Sequence, residues 1–208
     1  AIMLAFASGL RQSELLALTW EDIDFENKCL DVNKALSRIQ VRDDEGNLLE
    51  DENLNKYELI VKSTKTESSN RMIPLQPNII PVLRKQKLRT AEINLKNSIP
   101  VSEENLVFPS EVGTKINAGN LTRQWRKLLE RAKVRYLKFH STRHSFITQL
   151  VDKGGNIKTI QNLAGHSTIT TTLDVYAHSS DDSKLDTISK LNDLFPNVED
   201  CKDVNKIE

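Results

Sequence analysis

The chain has 208 residues, of which 38% are hydrophobic and 28% are charged, a composition typical of a folded domain with a sizeable core. No apolar run approaches the roughly 18 residues that a bilayer-spanning helix needs, which argues against a membrane-spanning role. Two cysteines, Cys29 and Cys201, are too few and too far apart for a disulfide framework or a cysteine-based metal site, so we expect a reducing cytoplasmic environment.

The charges balance in number but not in position. The 29 basic and 29 acidic residues, taken alone, argue against a nucleic-acid partner. Residues 57–100 and 101–145, however, each carry a net charge of +5, whereas the flanking regions are acidic. A basic region of this kind is what a phosphate backbone requires, although a cluster such as residues 84–89 is equally typical of one solvated helix face.

Hydrophobic periodicity predicts a mainly helical chain. Residues 1–18 carry an apolar helical pattern that includes Leu10, Leu15 and Leu18. Three short strands are predicted at 28–39, 57–61 and 71–75, with polar connections at 42–56 and 62–70. Helices are predicted over 77–96, 117–132, 141–152 (capped by Ser141 or Thr142), 156–164 (capped by Asn156), 167–177 and 182–195. The expected fold class is therefore α+β, mainly α, with one small three-stranded antiparallel sheet.

Six chemistry-bearing side chains occur singly but in a distinctive order. Each is weak evidence alone, because an arginine at a helix start is usually a surface residue and a tyrosine on an amphipathic helix usually belongs to the core. The candidates are Arg11 after a glycine, Lys65 between two strands, His140 and Arg143 in H-S-T-R at a helix start, His166 after Gly165, and Tyr176.

Together, these residue types suit one kind of chemistry. The sequence has no Cys/His set with metal-ligand spacing and no glycine-rich P-loop, so metal-assisted hydrolysis and nucleotide triphosphate use are poorly supported. Two guanidinium groups can hold the non-bridging oxygens of a phosphodiester and offset the charge of phosphoryl transfer. A tyrosine can act as nucleophile once nearby cations favour its phenolate, while His and Lys move protons. The set favours metal-free phosphoryl transfer through a phosphotyrosine.

At these residues the chain resembles the tyrosine recombinases, or phage-type integrases, in their C-terminal catalytic domain. The segments HSTRHSF and IQNLAGHSTITTTLDVYAH are the most specific, and SGLRQSELLAL resembles the family's first-arginine box, in which Glu14 supports Arg11. KTESSNRMIPL resembles the hairpin with the catalytic lysine, which maps to Lys65, although Lys62 is an alternative. In style, these boxes most resemble integrases of Gram-positive phages and conjugative transposons.

The resemblance implies a domain organisation. The fold would be that of the DNA breaking-rejoining enzymes, with a catalytic domain over residues 1–195 and a flexible tail over 196–208. The family's N-terminal core-binding and arm-binding domains would be absent from this chain. An apolar stripe within residues 182–195 would dock on its own subunit or on a neighbouring one.

The resemblance also implies a mechanism without a cofactor or metal. Tyr176 would attack DNA and become joined to the 3′ phosphate, while Arg11 and Arg143 bind its non-bridging oxygens. The remaining roles would be a hydrogen bond from His166 to the phosphate, a general base or acid at His140, and a general acid for the 5′ oxygen at Lys65.

The implied partners are double-stranded DNA attachment sites, a homotetramer on DNA (a monomer for the isolated domain), and accessory excisionase or DNA-bending proteins. No membrane partner is expected, and the location would be the bacterial cytoplasm, associated with the nucleoid. The competing interpretations are a DNA-binding regulator without chemistry, and a nicking-closing topoisomerase or telomere resolvase that shares the chemistry. A metal hydrolase built on the four histidines is the least supported.

Overall fold

The computed structural model describes residues 1–41, 57–63, 70–166 and 168. Within these ranges the elements follow in this order: α1 (Ile2–Ser8), α2 (Gln12–Ala17), a 3₁₀ turn (Trp20–Asp22), β1 (Ile23–Asp24), β2 (Cys29–Val32), β3 (Lys34–Gln40), β4 (Tyr57–Ser63), β5 (Arg71–Pro74), α3 (Ile80–Lys96), α4 (Ala118–Arg131), α5 (Ser141–Asp152) and α6 (Ile157–Ala164). The predicted fold class, mainly helical α+β, is confirmed. No described helix is both long and apolar enough to cross a bilayer.

The predicted three-stranded antiparallel sheet is present, but its strands differ from those expected. It runs in the order β1-β2-β5, and Leu30 pairs with both Ile23 and Ile73. β3 and β4 form a separate two-stranded antiparallel sheet. The strand predicted over 28–39 is interrupted at Asn33, whose side-chain amide donates to Asp31 at 2.9 Å. The first half of that segment therefore pairs with β5 and the second half with β4.

Glycine divides the predicted N-terminal helix in two. α1 ends at Gly9, which has a left-handed backbone (φ 63°) and whose N–H donates to the carbonyl of Ala5 at 3.0 Å. Arg11 then occupies the N-cap position of α2. The chain direction changes between the two helices, so that Arg11 stands at a helix start as the sequence predicted.

The ends of the later helices agree with the sequence to within a few residues. Asn156 caps α6 as predicted, since its side chain accepts from the N–H groups of Lys158 and Thr159. At α5 the predicted cap was wrong by one position, because Ser141 is already helical and His140 is the N-cap residue. The helix predicted from residue 77 begins at Ile80. The helices predicted over 167–177 and 182–195 and the tail at 196–208 lie outside the described residues.

The core has two parts that meet at the candidate site. The larger part lies among α1 to α4 and the three-stranded sheet, with Leu15, Leu30 and Trp125 buried in it. The smaller part is formed by α5 and α6 around Ile147 and Ile160. α1 packs against α5, and α6 packs against β5, so the end of α6 comes to lie beside the start of α2.

Candidate active site

The site is organised around the C-terminal end of α6. Three successive backbone carbonyls there each accept a hydrogen bond from a different arginine: Leu163 from Nε of Arg71 at 2.7 Å, Ala164 from Nη2 of Arg143, and Gly165 from Nη2 of Arg11 at 2.7 Å. The last carbonyls of a helix have no partner within the helix and carry partial negative charge. The α6 end therefore holds together guanidinium groups from α2, β5 and α5.

A buried carboxylate ties two of these arginines together. Oε1 of Glu14 accepts from Nη1 of Arg11 at 2.7 Å and from Nη1 of Arg71 at 3.2 Å. Oε2 accepts from the backbone N–H of Arg11 at 2.9 Å and from Nη2 of Arg71 at 2.8 Å. Burial opposes ionisation of Glu14, but the hydrogen bonds and charge of Arg71, followed by those of Arg11, outweigh it and lower its pKa to about 2.

Arg143 is the most deeply buried charge of the site. It lies in the first turn of α5, is 1% exposed, and donates from Nη1 to the carbonyl of Gly9 at 2.8 Å. Burial, followed by the charges of Arg11 and Arg71, lowers the pKa of Arg143 to about 9, so the guanidinium stays charged at neutral pH. Its two carbonyl partners belong to residues at the ends of α1 and α6, and Arg143 thus joins these two helices.

His166 follows the left-handed glycine that ends α6. Its backbone is held from both sides by Gln161, whose carbonyl accepts from the His166 N–H at 3.1 Å and whose side-chain amide donates to the His166 carbonyl at 3.0 Å. Burial, followed by the charges of Arg143 and Arg11, lowers the pKa of His166 to about 4. The imidazole is therefore neutral at pH 7 and can donate one hydrogen bond.

His140 belongs to the same electrostatic environment. Its ring meets that of His144 edge to face, with centroids 4.9 Å apart. Burial, followed by the charges of His144, Arg143 and Arg11, lowers the pKa of His140. A neutral His140 can accept a proton, as a general base must.

The structure thus brings together four of the six predicted catalytic residues, namely Arg11, His140, Arg143 and His166, with Glu14 beside Arg11. Lys65 and Tyr176 lie outside the described residues. The alternative lysine, Lys62, lies exposed in β4 and pairs with Ala35.

Sequence reasoning missed Arg71. The feature that could have indicated it is the alternation of buried and exposed residues along β5, where Arg71 and Ile73 face inwards while Met72 and Pro74 face outwards. An arginine at an inward position of a strand must find a buried partner, because an unpaired buried charge is strongly destabilising. The sequence alone does not name that partner, which lies 57 residues away at Glu14.

The arrangement is suited to binding an anion. The site holds three guanidinium groups and one carboxylate, and the nearby His166 is neutral at pH 7, so positive charge is in excess. Among residues 1–41, 57–63, 70–166 and 168, no three His, Cys, Asp or Glu side chains gather in a way that could hold a metal ion. The excess positive charge on the described side chains suits a phosphate with several oxygens.

The fold is that of the tyrosine recombinases. Residues 1–183 match the phage integrase family, and the chain belongs to that family. The resemblance predicted from the sequence is confirmed.

Relatives and solved structures agree with this assignment. A tyrosine recombinase XerC-like protein of Caldanaerobacter subterraneus is 40% identical over 196 residues, covering 93% of this chain and 48% of the relative. The transposase from transposon Tn916 of Enterococcus faecalis is 28% identical over 199 residues, covering 92% of this chain and 44% of the relative. The chain spans about half the length of the curated relatives it matches.

Among solved structures, the Tn1549 transposon integrase in complex with transposon right end DNA superimposes with a TM-score of 0.65 at 28% identity, covering 91% of this chain and 57% of that one. A complex of the same integrase with a circular intermediate DNA gives a TM-score of 0.68 at 26% identity, with the same coverage. These neighbours are similar to the present chain in both sequence and fold.

Proposed function

We propose that residues 1–195 are the catalytic domain of a site-specific DNA recombinase that integrates or excises mobile DNA. The observation that carries this proposal is the convergence of Arg11, Arg143, His140 and His166 around the α6 end, in a chain of the phage integrase family. Cleavage and rejoining proceed through a 3′-phosphotyrosyl intermediate, with neither metal nor cofactor as a reactant.

The arginines bind the scissile phosphate. A guanidinium group carries five N–H donors, and the protein contacts above engage only some of those on Arg11 and Arg143. Their other donors are directed to the two non-bridging oxygens, where they offset the charge that develops in the transition state. The contacts to Glu14, Gly9 and the α6 end fix both groups before DNA arrives, which lowers the reorganisation that the reaction requires.

The remaining residues supply the nucleophile and move protons. Oη of Tyr176 attacks phosphorus, the P–O5′ bond breaks, and the tyrosine becomes joined to the 3′ phosphate. His140 takes the phenolic proton, Lys65 gives a proton to the leaving 5′ oxygen, and His166 donates a hydrogen bond to the phosphate. Attack by the 5′ hydroxyl of a second strand reverses the step, so the energy of the phosphodiester bond is retained.

The DNA partner is double-stranded attachment-site DNA. Support comes from α4, which carries the exposed basic residues Arg123, Arg126, Lys127 and Arg131. These charges match a phosphate backbone. The Tn1549 integrase, which this chain resembles, is in complex with transposon DNA in its solved structures.

We further propose the assembly that the family resemblance implies. Four copies act together on DNA, the isolated domain is a monomer, and an excisionase or DNA-bending protein directs the choice between insertion and excision. Core-binding and arm-binding domains precede the catalytic domain in the whole protein, and the protein works at the bacterial nucleoid.

Nicked half-site DNA tests the proposal. Cleavage releases a short fragment that carries the freed 5′ hydroxyl, and once this fragment dissociates, religation is impossible and the covalent product is trapped. We expect a protein–DNA adduct on a denaturing gel with the unaltered protein. Tyr176→Phe should give no adduct, with DNA affinity nearly unchanged. Binding without any adduct would identify a regulator instead, and supercoil relaxation without exchange between two sites would identify a topoisomerase-like relative.

A further inference from the structure

We propose that Arg71 is a positioning residue of this site, which holds Arg11 and His166 in place by bridging the Glu14 carboxylate and the C-terminal end of α6. The part of this inference that concerns DNA cleavage rests on the proposed function. The described hydrogen bonds of Arg71 go to the Glu14 carboxylate and to the carbonyl of Leu163, and its effect passes through these two neighbours.

Arg71 is built into the site. It is 9% exposed and lies at the first position of β5, in the inner row of that strand. Two of its nitrogens donate to the Glu14 carboxylate, at 3.2 and 2.8 Å, and its Nε donates to the carbonyl of Leu163 at 2.7 Å. The planar fork therefore spans α2 and α6 at once with donors on three separate nitrogens, a geometry that the compact ammonium group of a lysine does not reproduce.

Glu14 carries the effect to Arg11. Its two oxygens, which accept from Arg71, also accept from the guanidinium and the backbone N–H of Arg11. Without Arg71, Glu14 would lose two charge-assisted hydrogen bonds and the direction in which it holds Arg11.

The α6 end carries the effect to His166. Leu163, which accepts from Arg71, lies three residues before His166. Gly165 lies directly against the Arg71 side chain, since a Cβ at that position would come within 2.9 Å of Nη1 and 3.1 Å of Cζ. The backbone that presents His166 therefore rests on the guanidinium of Arg71.

The test compares Arg71→Met and Arg71→Lys with the unaltered protein at full length, by single-turnover cleavage at saturating nicked half-site DNA. We expect Arg71→Met to lower the cleavage rate about 10²-fold, the size of effect that a shift of about 1 Å can cause. The DNA dissociation constant should change less than threefold. Arg71→Lys keeps the charge opposite Glu14 without the fork, and it should recover part of the rate.

Lys34→Met is the matched control. Lys34 also has a largely buried side chain that pairs with a buried carboxylate, Asp22, at 3.1 Å, but it lies away from the α6 end. We expect both Lys34→Met and Arg71→Met to lower the melting temperature, but Lys34→Met should leave the cleavage rate within threefold. If Arg71→Met slows cleavage no more than Lys34→Met does, the positioning role is wrong.

A second measurement tests, without catalysis, whether Arg71 positions His166. The His166 imidazole, titrated by NMR in the DNA-free protein, should have its pKa near 4 because of burial and the charges of Arg143, Arg11, His140 and His144. Release of the α6 end in Arg71→Met and in Arg71→Lys should raise this pKa by at least one unit. An unchanged His166 titration in both variants would overturn the inference. If the unaltered protein forms no DNA adduct, the proposed function fails, and the titration still tests the placement of His166 by Arg71.

Discussion

The carbonyl oxygen of Gly9 accepts a hydrogen bond from Nη1 of Arg143 at 2.8 Å, across 134 residues of chain. Gly9 makes this contact with a left-handed backbone at φ 63°, which other residues adopt at a cost. The end of α1 thereby determines where a guanidinium group from α5 can lie.

We predict that Gly9→Ala destabilises the protein by about 1–3 kcal/mol from the positive φ alone. The new methyl group would also meet Cδ1 of Phe146 at 2.4 Å, so the Phe146 side chain or its helix α5 must shift, and we expect Arg143 on the same helix to be displaced. Urea unfolding measures the loss of stability. Single-turnover DNA cleavage measures the displacement of Arg143, and its rate should fall about 10²-fold. Gly119→Ala in α4 is the control, because its methyl group meets only Oδ1 of Asn117 at 3.5 Å and should stabilise the helix by about 0.5–1 kcal/mol.

Glu14→Gln removes the charge that Arg71 and Arg11 share, and it should cost about 3–5 kcal/mol at pH 7 because a buried guanidinium loses its partner. The folded-state pKa of Glu14, about 2, lies below its ordinary value of 4.5. The ionised carboxylate therefore stabilises the fold fully above pH 4.5, and this contribution is lost as the pH falls towards 2.

The difference in unfolding free energy between the unaltered protein and Glu14→Gln should accordingly be smaller at pH 3 than at pH 7, as measured by urea unfolding. Glu130→Gln, at an exposed position of α4, is the control and should stay within about 0.5 kcal/mol at both pH values. A difference that is independent of pH would contradict an ionised, paired Glu14.

Local rules predicted the helices of the described residues, since periodicity, caps and left-handed glycines act over a few residues. The division of residues 28–39 into two strands depends on Asn33 and its contacts with Asp31 and Asp22. The alternation of apolar and polar residues along a strand does not reveal these contacts. The role of Arg71 was also missed, because it depends on contacts with Glu14 and Leu163 that are far away in sequence. Convergence at the α6 end is a property of the fold and not of any one segment.

Proton uptake should accompany DNA binding. The pKa of His166 is about 4 in the DNA-free protein, and a phosphate beside the imidazole raises it by favouring the charged form. Binding should therefore take up protons at pH values above 4 and tighten as the pH falls from 7 towards 5. Calorimetry in two buffers of different ionisation enthalpy at pH 5.5 measures the uptake, which should be smaller in His166→Gln. Equal uptake by the two proteins would place His166 away from the phosphate.

Lys65 and Lys62 can be distinguished through the leaving group. We expect Lys65→Ala to slow cleavage by about 10²–10⁴-fold and Lys62→Ala to have little effect, because loss of a general acid has consequences of that size. A substrate with sulfur at the bridging 5′ position needs no proton to leave, so it should restore cleavage by Lys65→Ala. If the sulfur substrate restores cleavage by Lys62→Ala and not by Lys65→Ala, Lys62 is the general acid.

The identity of the residue joined to DNA distinguishes the proposed tyrosine mechanism from every alternative. The adduct trapped on nicked half-site DNA can be digested with nuclease and trypsin and analysed by mass spectrometry. Of the three tyrosines in the chain, Tyr176 falls in the tryptic peptide Thr159–Lys184, which contains neither Tyr57 nor Tyr136. We expect a 3′-linked nucleotide on that peptide, at Tyr176. A nucleotide on any other residue, or no adduct with DNA that the protein binds, would contradict it.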